Sequence, residues 1–379
     1  MTKKCLCSDT GKLCKVPQWA ALKGYWSDPC AVGRTITSAT DEDTCVVSMG
    51  TVLVTGGAGY VGSHACKALA RAGYSPVTYD NLGSGHRWAV RWGVLEVGDI
   101  LDIHRLNEVF KKYRPIAIMH FAAAALVGES MAVPSLYYRN NVAGALNLLD
   151  TARLHEVGSF IFSSTCATYG APDQVPIRED APQRPVNPYG ASKLMVERML
   201  ADYEMAYGIR YATLRYFNAA GADPDGEVGE CRIVETHLIP LMLDAILGRC
   251  PPLQIMGTDY PTPDGTAIRD FIHVADLANA HVAALQHLLA GQASITCNLG
   301  TGVGYSVREV ISAARSVTNR KVPHSFGARR PGDPPELVAH PQRALDVLRI
   351  SLAHSADINQ IIGDAWSWHC GGRSARLDL

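Results

Sequence analysis

The chain has 379 residues, of which 47% are hydrophobic and 19% charged, and a formal net charge of -1. That is two or three domains' worth of sequence with enough apolar mass to bury a large core, which excludes disorder over most of the length. There is no basic excess to hold a phosphate backbone and no apolar run near the roughly 18 residues that span a bilayer, so neither nucleic acid nor membrane is an expected partner.

Lys3, Lys4, Lys12 and Lys15 interrupt the N-terminus, so it does not read as a signal peptide. Cys5, Cys7, Cys14, Cys30 and Cys45 crowd this stretch, but the single short-spaced pair, Cys5 and Cys7, is too little for a zinc site, and no metal is expected. Residues 1–50 read as a flexible extension or as sequence upstream of the natural start, since Met49 sits just before the first strand. Cys66, Cys166, Cys231, Cys250, Cys297 and Cys370 are scattered singly. That usage points to a reducing compartment, and the expected location is the cytoplasm.

From residue 51 strands and helices alternate. The pattern predicts strands at Val52–Thr55, Ser75–Tyr79, Val94–Val97, Ala117–Phe121, Ser159–Ser163 and Tyr211–Arg215. Between them it predicts helices over Tyr60–Ala72, about Asp102–Tyr113, Ser135–His155 and Tyr189–Tyr207. Short apolar strands alternating with amphipathic helices imply right-handed crossovers and a parallel sheet covered on both faces. The expected fold is α/β: a doubly wound, Rossmann-like domain over 51–215 and a smaller C-terminal α/β substrate domain over 216–379. Some segments of the latter return to the first. Helices are expected near His237–Leu247, Asp276–Leu289 and Val307–Val317, with Asp276 as the N-cap of its helix.

Gly56, Gly57, Gly59 and Gly62 follow the first strand and open the first helix. They allow a tight turn and close approach of backbone to a pyrophosphate, which the helix N-terminus then attracts. Asp80 ends the next strand, where a carboxylate accepts from the adenosine ribose hydroxyls and repels a 2′-phosphate. The cofactor this pattern favours is NAD.

Tyr189 and Lys193 are four apart and share a helix face. A phenol titrates near pH 10, but an ammonium about 5 Å away at an effective dielectric near 20 is worth about 3 kcal/mol, or roughly two pKa units. Tyr189 then becomes a general base. A surface tyrosine with a solvated lysine is the commoner fate of such a pair. Upstream, Ser163, Ser164 and Thr165 end a strand at the edge where ligands sit in parallel sheets. The Thr165 hydroxyl can there bond both Tyr189 and a substrate alcohol. The alternative is that these hydroxyls satisfy the strand end. Cys166 reads as a core residue.

The runs TGGAGYVGSH, DNL, GDI, HFAA, VGES, SSTCATYG, NPYGASK, LRYFNAAGA, NLGTGVG and RRPGD resemble those of the UDP-glucose 4-epimerases, in the extended short-chain dehydrogenase/reductase superfamily. The likeness covers about residues 51–370. It implies an isomerase in which Tyr189 takes the proton of the sugar 4-hydroxyl while hydride passes to tightly held NAD and returns to the other face. Lys193 holds the nicotinamide ribose and Thr165 is the hydroxyl partner. The resemblance implies cofactor contacts from Gly56, Gly59, Tyr60, Val61, Gly62, Asp80, Asn81, Asp99, Ile100, Phe121, Ala122, Asn140, Lys193 and Phe217. It implies UDP-sugar contacts from Thr165, Tyr189, Asn218, His237, Leu238, Arg269, Arg330, Asp333 and Leu337. Guanidinium forks also suit a diphosphate on chemical grounds. It implies a homodimer built on the helices of 135–155 and 189–207, and SSTCATYG with VETHLIP is most like bacterial epimerases of polysaccharide precursor synthesis. This chain departs at Ala125, where some members carry lysine, at His237, where some carry asparagine, and at Leu337, where some carry a tyrosine that crowds the sugar's 2-substituent. The last leaves UDP-GlcNAc or UDP-xylose/arabinose open as substrates. A 4,6-dehydratase needs Asp-Glu after the threonine, and Cys166-Ala167 stand there instead. A non-catalytic NAD-binding regulator is the reading of another class; the intact Thr165, Tyr189 and Lys193 argue against it.

Overall fold

The computed structural model describes residues 48–330 and 332–371, with the backbone of two short strands in the extension. Those strands, β1 (Lys4–Leu6) and β2 (Leu13–Lys15), pair antiparallel. The reading of residues 1–47 as flexible and the Cys5–Cys7 side chains lie outside the described residues.

Seven strands form the main sheet. They are β3 (Thr51–Thr55), β4 (Ser75–Asp80), β5 (Val94–Val97), β6 (Ala117–His120), β7 (Ser159–Thr165), β8 (Arg210–Tyr216) and β12 (Ile295–Leu299), in the order β12-β8-β7-β6-β3-β4-β5 and all parallel. The period of two explains why both faces are covered. Val52 and Val54 face one core with Leu69, Leu277 and Leu285. Leu53 faces the other with Phe110, Leu149, Phe160 and Leu200. The first core lies under α1 (Tyr60–Arg71) and α8 (Val274–Leu289). The second lies under α2 (Ile103–Tyr113), α5 (Gly144–Leu154) and α6 (Pro188–Tyr207). Strand order reverses between β3 and β6, so a crevice opens beyond their C-terminal ends.

Three details differ from the sequence reading. β12 was not foreseen as a strand, yet it closes one edge of the sheet, and α8 docks beside α1. The helix expected over 135–155 is α4 (Pro134–Tyr137), a π-helical segment (Tyr138–Ala143) and α5 in succession. Asp276 is not an N-cap: His273 caps α8, accepting from Ala275 N–H, and the buried Asp276 carboxylate accepts from Ser355 N–H and Oγ at 2.8 and 2.7 Å. It ties α8 to the C-terminal segment.

The smaller layer holds β9 (Asn218–Ala220), β11 (Ile268–His273), β13 (Gly304–Ser306) and β15 (Glu336–Leu337) in one sheet. β10 (Leu253–Met256) pairs β14 (His324–Gly327) in another. Helices α7 (Leu238–Ile246), α9 (Val307–Thr318) and α10 (Ile358–Cys370) bury a third core with Phe271, Val310 and Ile361. α9 begins with the Ser306/Glu309 capping box.

Candidate active site

β3 turns into α1 through Gly56, whose φ of +73° belongs to the left-handed region. A Cβ there would lie 2.5 Å from Ala122 N, and one at Gly62 would lie 2.2 Å from Gly56 O. The loop and helix therefore touch only because both are glycine. Gly59 is the N-cap of α1 and supplies no side-chain acceptor, so the amides at Tyr60 and Val61 open the helix toward an anion. Asp80 Oδ2 accepts from Ala58 N–H at 3.0 Å and Oδ1 from Leu82 N–H at 2.8 Å. Burial pushes its pKa up while those amides pull it down. Asp80 thus braces the glycine loop.

The other expected cofactor residues make the following contacts. Asn81 donates to Asp99 at 2.9 Å, and Asp99 in turn accepts from Leu101 N–H. Ile100 is buried against Gly144. The amides of Phe121 and Ala122 both donate to Thr55 O. Asn140 donates to Asn141, which is bonded to Ala124 and Ser192. Tyr60 donates to Gly221 O at 2.7 Å, across to the smaller layer.

Thr165 ends β7 and Tyr189 opens α6. Asn187 caps that helix through Gly190 N–H at 2.8 Å, with Pro188 at its first position. A Cβ on Gly190 would lie 2.4 Å from Ala167 O, so the helix start is pressed against the turn after Thr165. Thr165, Tyr189 and Lys193 are all buried. The Thr165 hydroxyl accepts from Ala167 N–H and lies near enough to Tyr189 to favour its phenolate. Lys193 Nζ donates to Ser163 O at 2.9 Å and lies over the Phe162 ring.

The electrostatics correct the simple expectation of a phenol acidified by its neighbour. Burial pushes the Tyr189 phenol well above its ordinary value, and the Tyr216 phenol beside it adds to this. The Thr165 hydroxyl and the Arg232 charge oppose it. Burial also draws Lys193 down, to about 7, against the pull of Glu197. The two-unit expectation counted the charge and left out desolvation.

Behind the pair lies a network the sequence did not disclose. Arg215 Nη2 meets Glu197 Oε2 at 2.6 Å, and Glu197 also accepts from Ser164 Oγ at 2.5 Å and Gln183 at 2.9 Å. Arg215 reaches Tyr169 Oη at 2.8 Å, and Tyr169 donates to Asn298. This network joins β7, β8, α6 and β12 beneath the site.

On the substrate side, Phe217, Cys166, Tyr169 and Ala339 form a small core with Leu337 against it. Burial pushes the Cys166 thiol up to about 12, so it is a packing residue. Arg269 is ion-paired with Asp333 at 2.6 Å and stands opposite Leu337 in the register of β11 and β15. Asn218 pairs with Phe271. Arg330 is exposed, and its carbonyl accepts from Asp333 N–H at 3.2 Å. His237 stands at the N-terminal boundary of α7 without capping it through its side chain, and Leu238 is the first helical residue. His237 Nδ1 lies 2.7 Å from Glu230, and the carboxylates of Glu230 and Glu235 raise the His237 pKa to about 9.

Two acidic groups among the described residues are compact enough to hold a cation. Lys67 contacts Asp223, Asp225 and Glu227 at 2.6, 2.7 and 2.6 Å, and Arg71 on Asp225 and Arg91 on Glu227 complete the charge balance. Arg232 and protonated His237 balance Glu230 and Glu235.

A doubly wound parallel sheet, a glycine cradle at its reversal and a buried Thr165–Tyr189–Lys193 set on the same crevice define a protein of the extended short-chain dehydrogenase/reductase class. Within it, the chain belongs to the NAD dependent epimerase/dehydratase family, whose profile matches residues 52–300. It is 52% identical over 319 residues to the UDP-glucose 4-epimerase of Rhizobium leguminosarum bv. trifolii, covering 84% of this chain and 97% of that one. It is similar to the crystal structure of UDP-glucose 4-epimerase from Brucella ovis in complex with NAD, at 54% identity and a TM-score of 0.82, covering 84% and 98% of the two chains. The UDP-glucose 4-epimerase of Bifidobacterium longum in complex with NAD+ and UDP matches at 36% identity and a TM-score of 0.81, with the same coverage.

Proposed function

We propose that this protein interconverts UDP-glucose and UDP-galactose by inverting C4 of the sugar with a resident NAD. The observation that carries this is the burial of Thr165, Tyr189 and Lys193 together at the crevice that the glycine loop opens. NAD fits these residues: the α1 amides are uncapped by any side chain, a Cβ at Gly59 would meet nothing nearer than Gly56 O at 3.3 Å, and Asp80 presents a carboxylate at the end of β4. Bound there, NAD supplies the site that accepts hydride from C4 and returns it.

Tyr189 Oη takes the proton from the 4-hydroxyl as the C4 carbonyl forms and gives it back as the alcohol is rebuilt. Thr165 aligns that hydroxyl with the phenol. Lys193, fixed by Ser163 O, adds positive charge beside the developing phenolate and holds the nicotinamide ribose. Arg269 with Asp333, and Arg330 nearby, hold the diphosphate and uridine end, so the keto sugar can turn about its link while anchored. Residues 51–215 with β12 and α8 form the cofactor half in this reading, and the remainder of the described chain the UDP-sugar half. Leu337 against Phe217 supports room for an N-acetyl group at C2. Exposed apolar side chains on α5 and α6 (Leu146, Leu154, Met195, Met205 and Tyr207) support a homodimer through those helices. No helix among the described residues is long and apolar enough to cross a membrane. The scattered single cysteines support a cytoplasmic location. Product analysis with UDP-glucose, UDP-GlcNAc and UDP-xylose at matched concentration tests the assignment. UDP-galactose is expected from the first, and its absence would overturn the reading.

A further inference from the structure

A hairpin of residues 221–231 follows β9 and lies along helix α1. Its arms meet in an antiparallel bridge between Ala222 and Gly229. Lys67 reaches Asp223, Asp225 and Glu227 on it, and Arg71 joins Asp225 at 2.5 Å. Gly229 lies against the Trp368 ring, where a Cβ would fall 2.5 Å from Cγ. Trp368 Nε1 also donates to Glu230 O at 3.0 Å, so α10 backs the hairpin.

The two ends of this hairpin are fastened to the two backbone segments that frame the dinucleotide cradle. At one end Tyr60, the first residue of α1, donates from Oη to Gly221 O at 2.7 Å. At the other, His86 Nε2 lies 2.7 Å from Cys231 O. A carbonyl only accepts, so Nε2 carries the hydrogen. The His86 amide donates to Ala58 O, in the glycine turn, at 3.0 Å. The His86 ring stacks on Trp88 at 5.2 Å, and Trp88 packs on Trp368 at 5.7 Å. One residue thus ties the loop after Asp80 to the glycine turn through its backbone and to the smaller layer through its side chain.

We infer that His86 is a positioning residue for the resident NAD: by fastening the hairpin to the loop that carries Asp80 and Asn81, it sets how slowly the cofactor leaves. This rests on NAD as the cofactor and not on which sugar is turned over. Most of the loop lies open. Asn81, Gly83 and Ser84 are exposed, and Leu82 takes a left-handed φ of +60°. Gly85 is pressed on the glycine turn, where a Cβ would fall 2.9 Å from Ala58 Cβ. A left-handed leucine persists only where its surroundings hold it. Segments with few buried contacts open locally far more readily than the core. Releasing a dinucleotide gripped at its adenosine end requires this loop to open, so each anchor that must break first slows release. Retention matters because hydride lent to the cofactor must come back to the same sugar.

The experiment follows exchange of bound NAD in the full chain, with no sugar present. Protein loaded with radiolabelled NAD is diluted into excess unlabelled NAD, and the label still bound is counted after rapid desalting. His86→Ala should speed exchange about tenfold, the worth of one sheltered hydrogen bond. His86→Gln, whose amide nitrogen reaches the place of Nε2, should bring the rate back to within about threefold of wild type. The shorter His86→Asn should behave like alanine. Arg71→Met loosens the hairpin from α1 without touching the loop after Asp80 and should leave the rate unchanged. A folded His86→Ala protein that exchanges NAD at the wild-type rate overturns the inference. So does equal acceleration in His86→Gln and His86→Asn, or in Arg71→Met, because the effect then belongs to general loosening. Should alanine unfold the chain, the comparison of His86→Gln with His86→Asn decides alone. Because exchange is read without turnover, a chain that behaves as expected yet makes no UDP-galactose refutes the epimerase reading alone.

Discussion

Replacing Glu197 with alanine should damage the fold more than any exposed charge could, although Glu197 touches no expected ligand. The carboxylate and its partner Arg215 are 8% and 7% exposed. Glu197 takes the arginine in a fork, Nε at 3.0 Å and Nη2 at 2.6 Å, and also receives Ser164 Oγ and the Gln183 amide. Alanine removes all of these and strands a buried guanidinium whose remaining partners are Tyr169 Oη and Glu179 O. Losing one partner of a buried pair costs about 3–5 kcal/mol, a large share of the roughly 5–15 kcal/mol that holds a typical domain. Urea unfolding followed by circular dichroism should show that loss. The reasoning also predicts that removing both partners, as Glu197→Met with Arg215→Met, recovers most of it, because neither charge is then left alone. A single variant within about 1 kcal/mol of wild type, or a double variant worse than the single, would refute the argument.

Gly62→Ala should cost about 2–4 kcal/mol and lower the retention of NAD, since its Cβ falls 2.2 Å from Gly56 O; NAD content after gel filtration and the melting temperature check it. The His237 pKa is raised from 6.5 to about 9, so its stabilisation is fully present below 6.5 and is lost as pH rises through 9. Because the ring is 44% exposed, screening leaves about 1–2 kcal/mol, and His237→Asn should flatten stability between those two pH values. A His237→Asn protein with the wild-type pH dependence would count against this. Leu337→Tyr should cut turnover of UDP-GlcNAc about tenfold relative to UDP-glucose by crowding the cluster around Phe217, measured as a ratio of kcat/KM values; an unchanged ratio would remove Leu337 from the specificity argument.

What the sequence determined by itself was whatever local spacing dictates. The alternation of Val52, Leu53 and Val54 sends neighbours to opposite cores whatever else the chain does, so a sheet buried on both faces follows. Gly56 and Gly62 announce a turn too tight for any Cβ, and Tyr189 and Lys193 must share a face once they stand on one helix. Tertiary structure decided everything that depends on what lies across a gap in the chain. β12 follows α8 after a long excursion through the smaller layer and becomes a sheet edge only by pairing with β8, 83 residues earlier at Ile295 and Ala212. Asp276 looked like a cap because its partner Ser355 is 79 residues away. No local spacing marks Glu197 and Arg215 as partners; β8 and α6 bring them together in the interior. Even the Tyr189–Lys193 pair changed meaning. Spacing gives the distance between two charges, but burial sets the cost of each, and burial belongs to the assembled fold.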